Sequence, residues 1–172
     1  YEITTRLVGS EMCIRDRVYE ENGRCEAAEV AALCLANLYN SGGHRKITPD
    51  EYETIKKYLQ KFPESMHIRA AFIIASEAIY SPSAEYKRVP DKIINKAKQW
   101  SEQYPKKIEF QEAYFGLLFS RLKYAQAQDM RNEQRRVYRE MKTVAERANY
   151  SEYNESNQLM ESVDILHRVF GY

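Results

Sequence analysis

Three histidines and three cysteines are the residues of this 172-residue chain best suited to hold a metal ion or to act as a base or nucleophile, and their spacing joins none of them. His44 lies in Ser-Gly-Gly-His-Arg-Lys, where a Gly pair stops a helix and leaves the imidazole in a solvated loop. His67 and His167 stand in no metal-binding or nucleophile motif. Cys25 and Cys34 are nine residues apart. At about 100° per residue this puts them on opposite sides of a helix, where they cannot share a metal ion. They read as packing thiols, and with Cys13 they make an odd, sparse set that suggests no disulfide framework. The segment Ser41 to Thr48 lacks the glycine spacing and the Lys-Ser/Thr pair of a phosphate loop. No Gly-x-Ser-x-Gly occurs, and no carboxylate pair stands apart from ordinary charged faces. The expectation is a chain with no catalytic, cofactor or metal site, and not an enzyme.

Charge is no more specific. Lys and Arg number 26 against 25 Asp and Glu, so no field of one sign draws in nucleic acid or an anionic membrane. The one basic stretch, Asp129 to Ala148, carries Arg131, Arg135, Arg136, Arg139, Lys142 and Arg147, diluted by Asp129, Glu133, Glu140 and Glu146. It reads as a solvated outer face rather than a nucleic-acid surface. Most of the 14 tyrosines fall on apolar stripes, where core packing accounts for them. No apolar run approaches the roughly 20 residues a bilayer span needs, the most apolar stretch, Ala70 to Ala75, being six long, so no membrane span is expected. Asn149-Tyr150-Ser151 and Asn154-Glu155-Ser156 fit the glycosylation triplet, a pattern without force unless the chain is secreted.

The elements that must position any site are helices. Six Gly and five Pro leave little room for the turns of an all-β fold, and Ala, Leu, Glu, Lys, Gln and Arg favour helix. Two segments repeat, Thr48 to Pro63 and Val89 to Pro105. Each has Pro-Asp at its start and an aromatic residue followed by Pro at its end. Proline suits the first helical position and cannot continue a helix, and it biases the preceding Phe62 or Tyr104 away from helical geometry. Thr48 and Glu51 have the spacing of a capping box, whereas Val89 stands at the equivalent place in the second copy. Tyr52, Ile55, Leu59 and Phe62 form one apolar stripe, and Ile93, Ala97, Trp100 and Tyr104 the other.

A second helix follows each Pro, from Met66 and from Lys107, with Ile68 and Phe110, Ala71 and Ala113, and Phe72 and Tyr114 all 42 residues apart. An earlier helix over Ala27 to Gly43 and later ones over Asp129 to Ala148 and about Glu155 to Phe170 complete the set. Their late stripes are Val137, Met141, Val144 and Ala148, then Leu159, Val163, Leu166 and Phe170. The expected fold is all-α, with about seven helices in antiparallel pairs. Helices with one apolar stripe belong outside. The helix from Lys107, ringed by Phe110, Ala113, Tyr114, Phe115, Leu117, Leu118, Phe119 and Leu122, is packed on several sides. Its open stripe is Glu109, Glu112, Gly116, Ser120 and Lys123.

The inner helices, AALCLANLYNSG and EAYFGLLFSRL, and the outer helices ending KKYLQKFP and KQWSEQYP, resemble tetratricopeptide repeats over roughly Ala27 to Ala148. The period is about 42 rather than 34, the extra length falling in the links Ser41–Ile47 and Ser81–Val89. The resemblance implies a right-handed superhelical array of helix pairs, a TPR-like α-solenoid. It further implies a protein-interaction scaffold that holds a peptide or partner helix on its inner helices. Asn37, Ser76, Glu77, Ser120 and Lys123, polar positions on inner-helix faces, are the candidate contacts. Two other readings stand beside it: a helical sensor or arm of a larger enzyme whose catalytic domain lies outside this chain, and an RNA-binding helical repeat.

Residues 1–17 do not belong to this pattern. Leu7 to Asp16 back-translates to CTC GTG GGC TCG GAG ATG TGT ATA AGA GAC, similar to a transposase-type sequencing-library adapter. Tyr1-Glu2-Ile3 fits the companion primer, with a sample index between them. Residues 1–17 are therefore expected to be non-native and 18–172 to form one helical-repeat domain, a fragment of a longer protein.

Overall fold

Thr48 opens the first described helix with both halves of a capping box. The Thr48 N–H donates to Glu51 Oε2 at 2.8 Å, and the Glu51 N–H donates to Thr48 Oγ1 at 3.3 Å. Pro49 occupies the first helical position, where a missing N–H costs nothing. The computed structural model describes residues 47–80, 87–149 and 157–171. The adapter-like segment, the expected helix of Ala27 to Gly43, Asn37, His44 and the three cysteines lie outside the described residues, as do Tyr150 to Ser156 of the glycosylation triplets. Among the described residues there are six α-helices and no strand: α1 Pro49–Lys61, α2 Met66–Tyr80, α3 Asp91–Gln103, α4 Ile108–Ala127, α5 Arg131–Asn149 and α6 Asn157–Phe170. The chain divides into two compact units, Tyr1–Ala75 and Ser76–Tyr172, with the division inside α2.

In the first unit, Tyr52, Ile55 and Leu59 line the buried face of α1, and Phe62 closes it. Tyr52 stacks on Phe72 of α2, with ring centroids 5.8 Å apart. Arg69 is buried, but its Nε donates to the Pro63 carbonyl at 2.7 Å and its Nη2 pairs with Glu64, so the charge is satisfied at the turn it spans.

In the second unit, α3 packs on α4, α4 on α5 and α5 on α6. The long α4 is buried on most sides, from Phe110 through Ala113, Tyr114, Phe115, Leu117, Leu118 and Leu122 to Ala125. Burying large side chains of this kind contributes about 1.5–3 kcal/mol each, the main source of stability here. Buried polar groups fix the neighbours. The Gln111 Nε2 donates to Ser101 O at 2.8 Å and to Tyr104 O at 3.3 Å, closing the end of α3. Arg121 reaches Asp91 at the start of α3 and, at 2.6 Å, Glu133 at the start of α5. Both carboxylates sit in first turns, where the helix dipole favours negative charge.

The 42-residue repeat is visible in backbone hydrogen bonds. The Phe62 N–H donates to Tyr58 O at 2.8 Å and the Ser65 N–H to Phe62 O at 3.2 Å. At the matching places, the Tyr104 N–H donates to Trp100 O at 2.9 Å and the Lys107 N–H to Tyr104 O at 3.0 Å. Phe62 and Tyr104 share a non-helical conformation (φ −131° and ψ 64°, against −121° and 60°), as a residue before Pro must. Arg69 and Gln111, also 42 apart, both bond back to carbonyls of the preceding turn or helix end.

Three local expectations shift. The buried residue at the head of α3 is Ile94, while Ile93 is half-buried. Ile94 is the 42-residue counterpart of Tyr52, just as Ala97 is of Ile55 and Ser101 of Leu59. Phe170 stands apart from its stripe: Leu159, Val163 and Leu166 are buried but Phe170 is 43% exposed. Finally, α5 starts at Arg131 rather than Asp129. Asp129 has φ 49° and ends α4, with the Met130 N–H donating to Ala125 O at 2.8 Å, the 6→1 bond of a left-handed helix stop. Glycine holds that conformation without strain, and the exposed Asp129–Arg131 pair contributes little. Asp129→Gly is therefore expected to stabilise the fold by about 0.5–1 kcal/mol, read as a raised midpoint in urea denaturation.

Candidate partner-binding groove

The second unit carries a groove of apolar character, about 470 Å³ in volume, between α4 and α6. Phe115, Gly116, Phe119 and Lys123 form one wall, at helical spacing along a single edge of α4. Ser162, Ile165, Leu166, Val169 and Phe170 form the other. The core side of α6 is already used by Leu159, Val163 and Leu166. Ile165, Val169 and Phe170, at 53%, 65% and 43% exposure, make a second apolar stripe that faces outward. Isolated exposed apolar residues are ordinary, but three on two turns of one helix beside a groove form a continuous patch. The Lys123 ammonium lies 5.2 Å from the Phe119 ring centroid and 5.3 Å from that of Phe170, so one cation spans the groove mouth on two aromatic faces.

Gly116, in the α4 wall, lets a side chain of α2 come close. The Glu77 side chain lies directly against it, and a Cβ on Gly116 would meet Glu77 Cγ at 2.8 Å. A side chain at this position would have to displace the end of the Glu77 side chain. Burial, reinforced by Glu112, pushes the Glu77 carboxyl up to about 7. The Ser120 hydroxyl donates to Gly116 O at 3.1 Å.

The five candidate contacts fare differently. Asn37 lies outside the described residues. Ser76 is fully buried and Ser120 is 3% exposed, so neither presents surface. Glu77 is half-buried against Gly116 and is not among the residues that line the groove, whereas Lys123 lines it. Phe119, Ile165 and Val169 are groove residues that sequence reasoning missed. Their signal was the second stripe, Ser162, Ile165 and Val169, set beside the core stripe of α6.

Many other polar groups of the second unit pair with one another. The Asp91 carboxyl is held low by its bond to Arg121, with Arg88 at 3.0 Å adding to it. Glu133 is lowered first by its bond to Arg136 and then by Arg121. The Tyr114 hydroxyl donates to Glu140 at 3.1 Å and its pKa is raised, by burial first and by Glu140 second. Several of the basic residues of α5 are paired: Arg136 with Glu133, Lys142 with Glu146, and Arg147 with Ser101 Oγ and Glu102. Among the described residues no group of three His, Cys, Asp or Glu could hold a metal ion, and no helix is long and apolar enough to cross a membrane. No family model, curated protein or solved structure matches the chain.

Proposed function

We propose that this chain is a protein-interaction module, a tetratricopeptide-like right-handed array of helix pairs that holds a peptide or partner helix. The observation that carries the reading is the α4–α6 groove, apolar along both walls and bridged by a single cation. An amphipathic helix laying apolar residues at i, i+3 and i+4 into such a groove is a common recognition mode. The 42-residue repeat of turn hydrogen bonds and buried positions supports the array. Selection of a random peptide library on the immobilised chain tests it. Enriched peptides with helically spaced apolar residues are expected, losing binding by about tenfold or more when Val169→Glu places a charge in the groove. Val169 is the most exposed of the groove's large apolar residues, so the variant keeps its thermal melt. No enrichment, or binding indifferent to Val169→Glu, overturns the proposal.

A further inference from the structure

The order of charges along α6 names an occupant for the groove, an inference that rests on the docking reading above. Ile165 centres the outward stripe. Glu161 lies four residues before it, Arg168 three after and Val169 four after, so all four share one helix face, and all four are exposed. Acid stands on one side of Ile165 and base on the other, at nearly equal distances along the axis. Such a stripe is complementary to itself when a second α6 is laid antiparallel about a two-fold axis near Ile165. Each Glu161 then meets the opposing Arg168, the two Ile165 side chains meet at the axis, and each Val169 lies toward the Ser162 end of the partner's groove. A parallel pairing instead sets Glu161 on Glu161 and Arg168 on Arg168, and like charges exclude it.

We propose that the groove is a self-association surface. The α6 helices of two copies pair antiparallel, Val169 of each enters the α4–α6 groove of the other, and two Glu161–Arg168 pairs fix the register. This is an isologous contact, the same patch used twice, and its symmetry closes at a dimer. The rings of Phe119 and Phe170 already hold the Lys123 ammonium, so closing the groove does not leave that cation bare. One helix stripe and one groove make a small interface, so the dimer is reversible and concentration-dependent.

Sedimentation equilibrium of the full chain over a roughly hundredfold concentration range reads this directly. The wild type is expected to move from monomer mass to twice that mass. Glu161→Arg and Arg168→Glu each juxtapose like charges and are expected to weaken association by about tenfold or more. An equimolar mixture of the two variants restores both opposite-charge pairs and is expected to associate as well as the wild type. Both substitutions are on exposed positions, so unchanged thermal melts separate lost association from lost folding. A wild type that stays monomeric, single variants that associate normally, or a mixture that does not recover overturns the proposal. If peptides from the library still bind through Val169 in that case, the groove remains a docking site and only the second copy as occupant falls.

Discussion

Glu77→Gln is expected to stabilise the protein at pH 8 and to leave its stability nearly unchanged at pH 4. The carboxyl lies against Gly116, where burial and Glu112 raise its pKa from 4.5 to about 7. Below 4.5 the native and unfolded chains are both protonated there and the group contributes nothing. Between 4.5 and 7 the unfolded chain has released the proton while the native chain keeps it, so stability falls as pH rises. Above 7 the native chain carries the buried charge, at a cost on the order of 3 kcal/mol. Glutamine keeps the shape and has no charge to bury. Asp91 and Glu133 act in the other direction: their carboxyls are lowered, so their contribution is complete above the ordinary carboxylate range and is lost only as pH falls through and below it. The two windows do not overlap. Urea midpoints for wild type and Glu77→Gln, measured from pH 4 to pH 8, should therefore diverge progressively above about 4.5. Parallel curves would mean that the carboxyl is not held against Gly116.

Helix ends and most buried stripes were legible because backbone chemistry announces them. Pro63 and Pro105 force their predecessors out of helix, and Thr48 with Glu51 satisfies two backbone donors reciprocally. The misread position in α3 was recoverable, since adding the repeat length to Tyr52 points to Ile94 rather than Ile93. The groove was harder to read. A serine looks like surface, but Ser120 satisfies its hydroxyl on the carbonyl four residues back and disappears into the packing. Conversely Phe119, Ile165 and Val169 look like core, and only the helices they face decide otherwise. Arg121 was illegible for a different reason. Its partners Asp91 and Glu133 are distant in sequence, and only packing of α3 and α5 on α4 brings them to one guanidinium.

Trp100→Ala is expected to destabilise the fold by about 3–5 kcal/mol, the range for removing a large buried aromatic side chain. Trp100 is 6% exposed and is the largest side chain on the buried face of α3. The size of the loss depends on whether the helix can sink into the space left behind. Two polar contacts resist that movement. At one end Asp91 is tied to Arg121, and at the other Gln111 holds the Ser101 and Tyr104 carbonyls. A helix pinned at both ends leaves most of the cavity open, which favours the upper part of the range. The Lys96 ammonium, 5.6 Å from the ring centroid, offers a second explanation for any loss. Burial and Lys92 together lower the pKa of that amine, so its attraction to the indole is partly offset. Lys96→Ala separates the two causes, since losing the cation alone should cost no more than about 1 kcal/mol. Trp100 is the chain's single tryptophan, so the comparison is made by circular dichroism rather than fluorescence. A Trp100→Ala loss as small as that of Lys96→Ala would mean that α3 collapses into the cavity and that its two ends are not fixed.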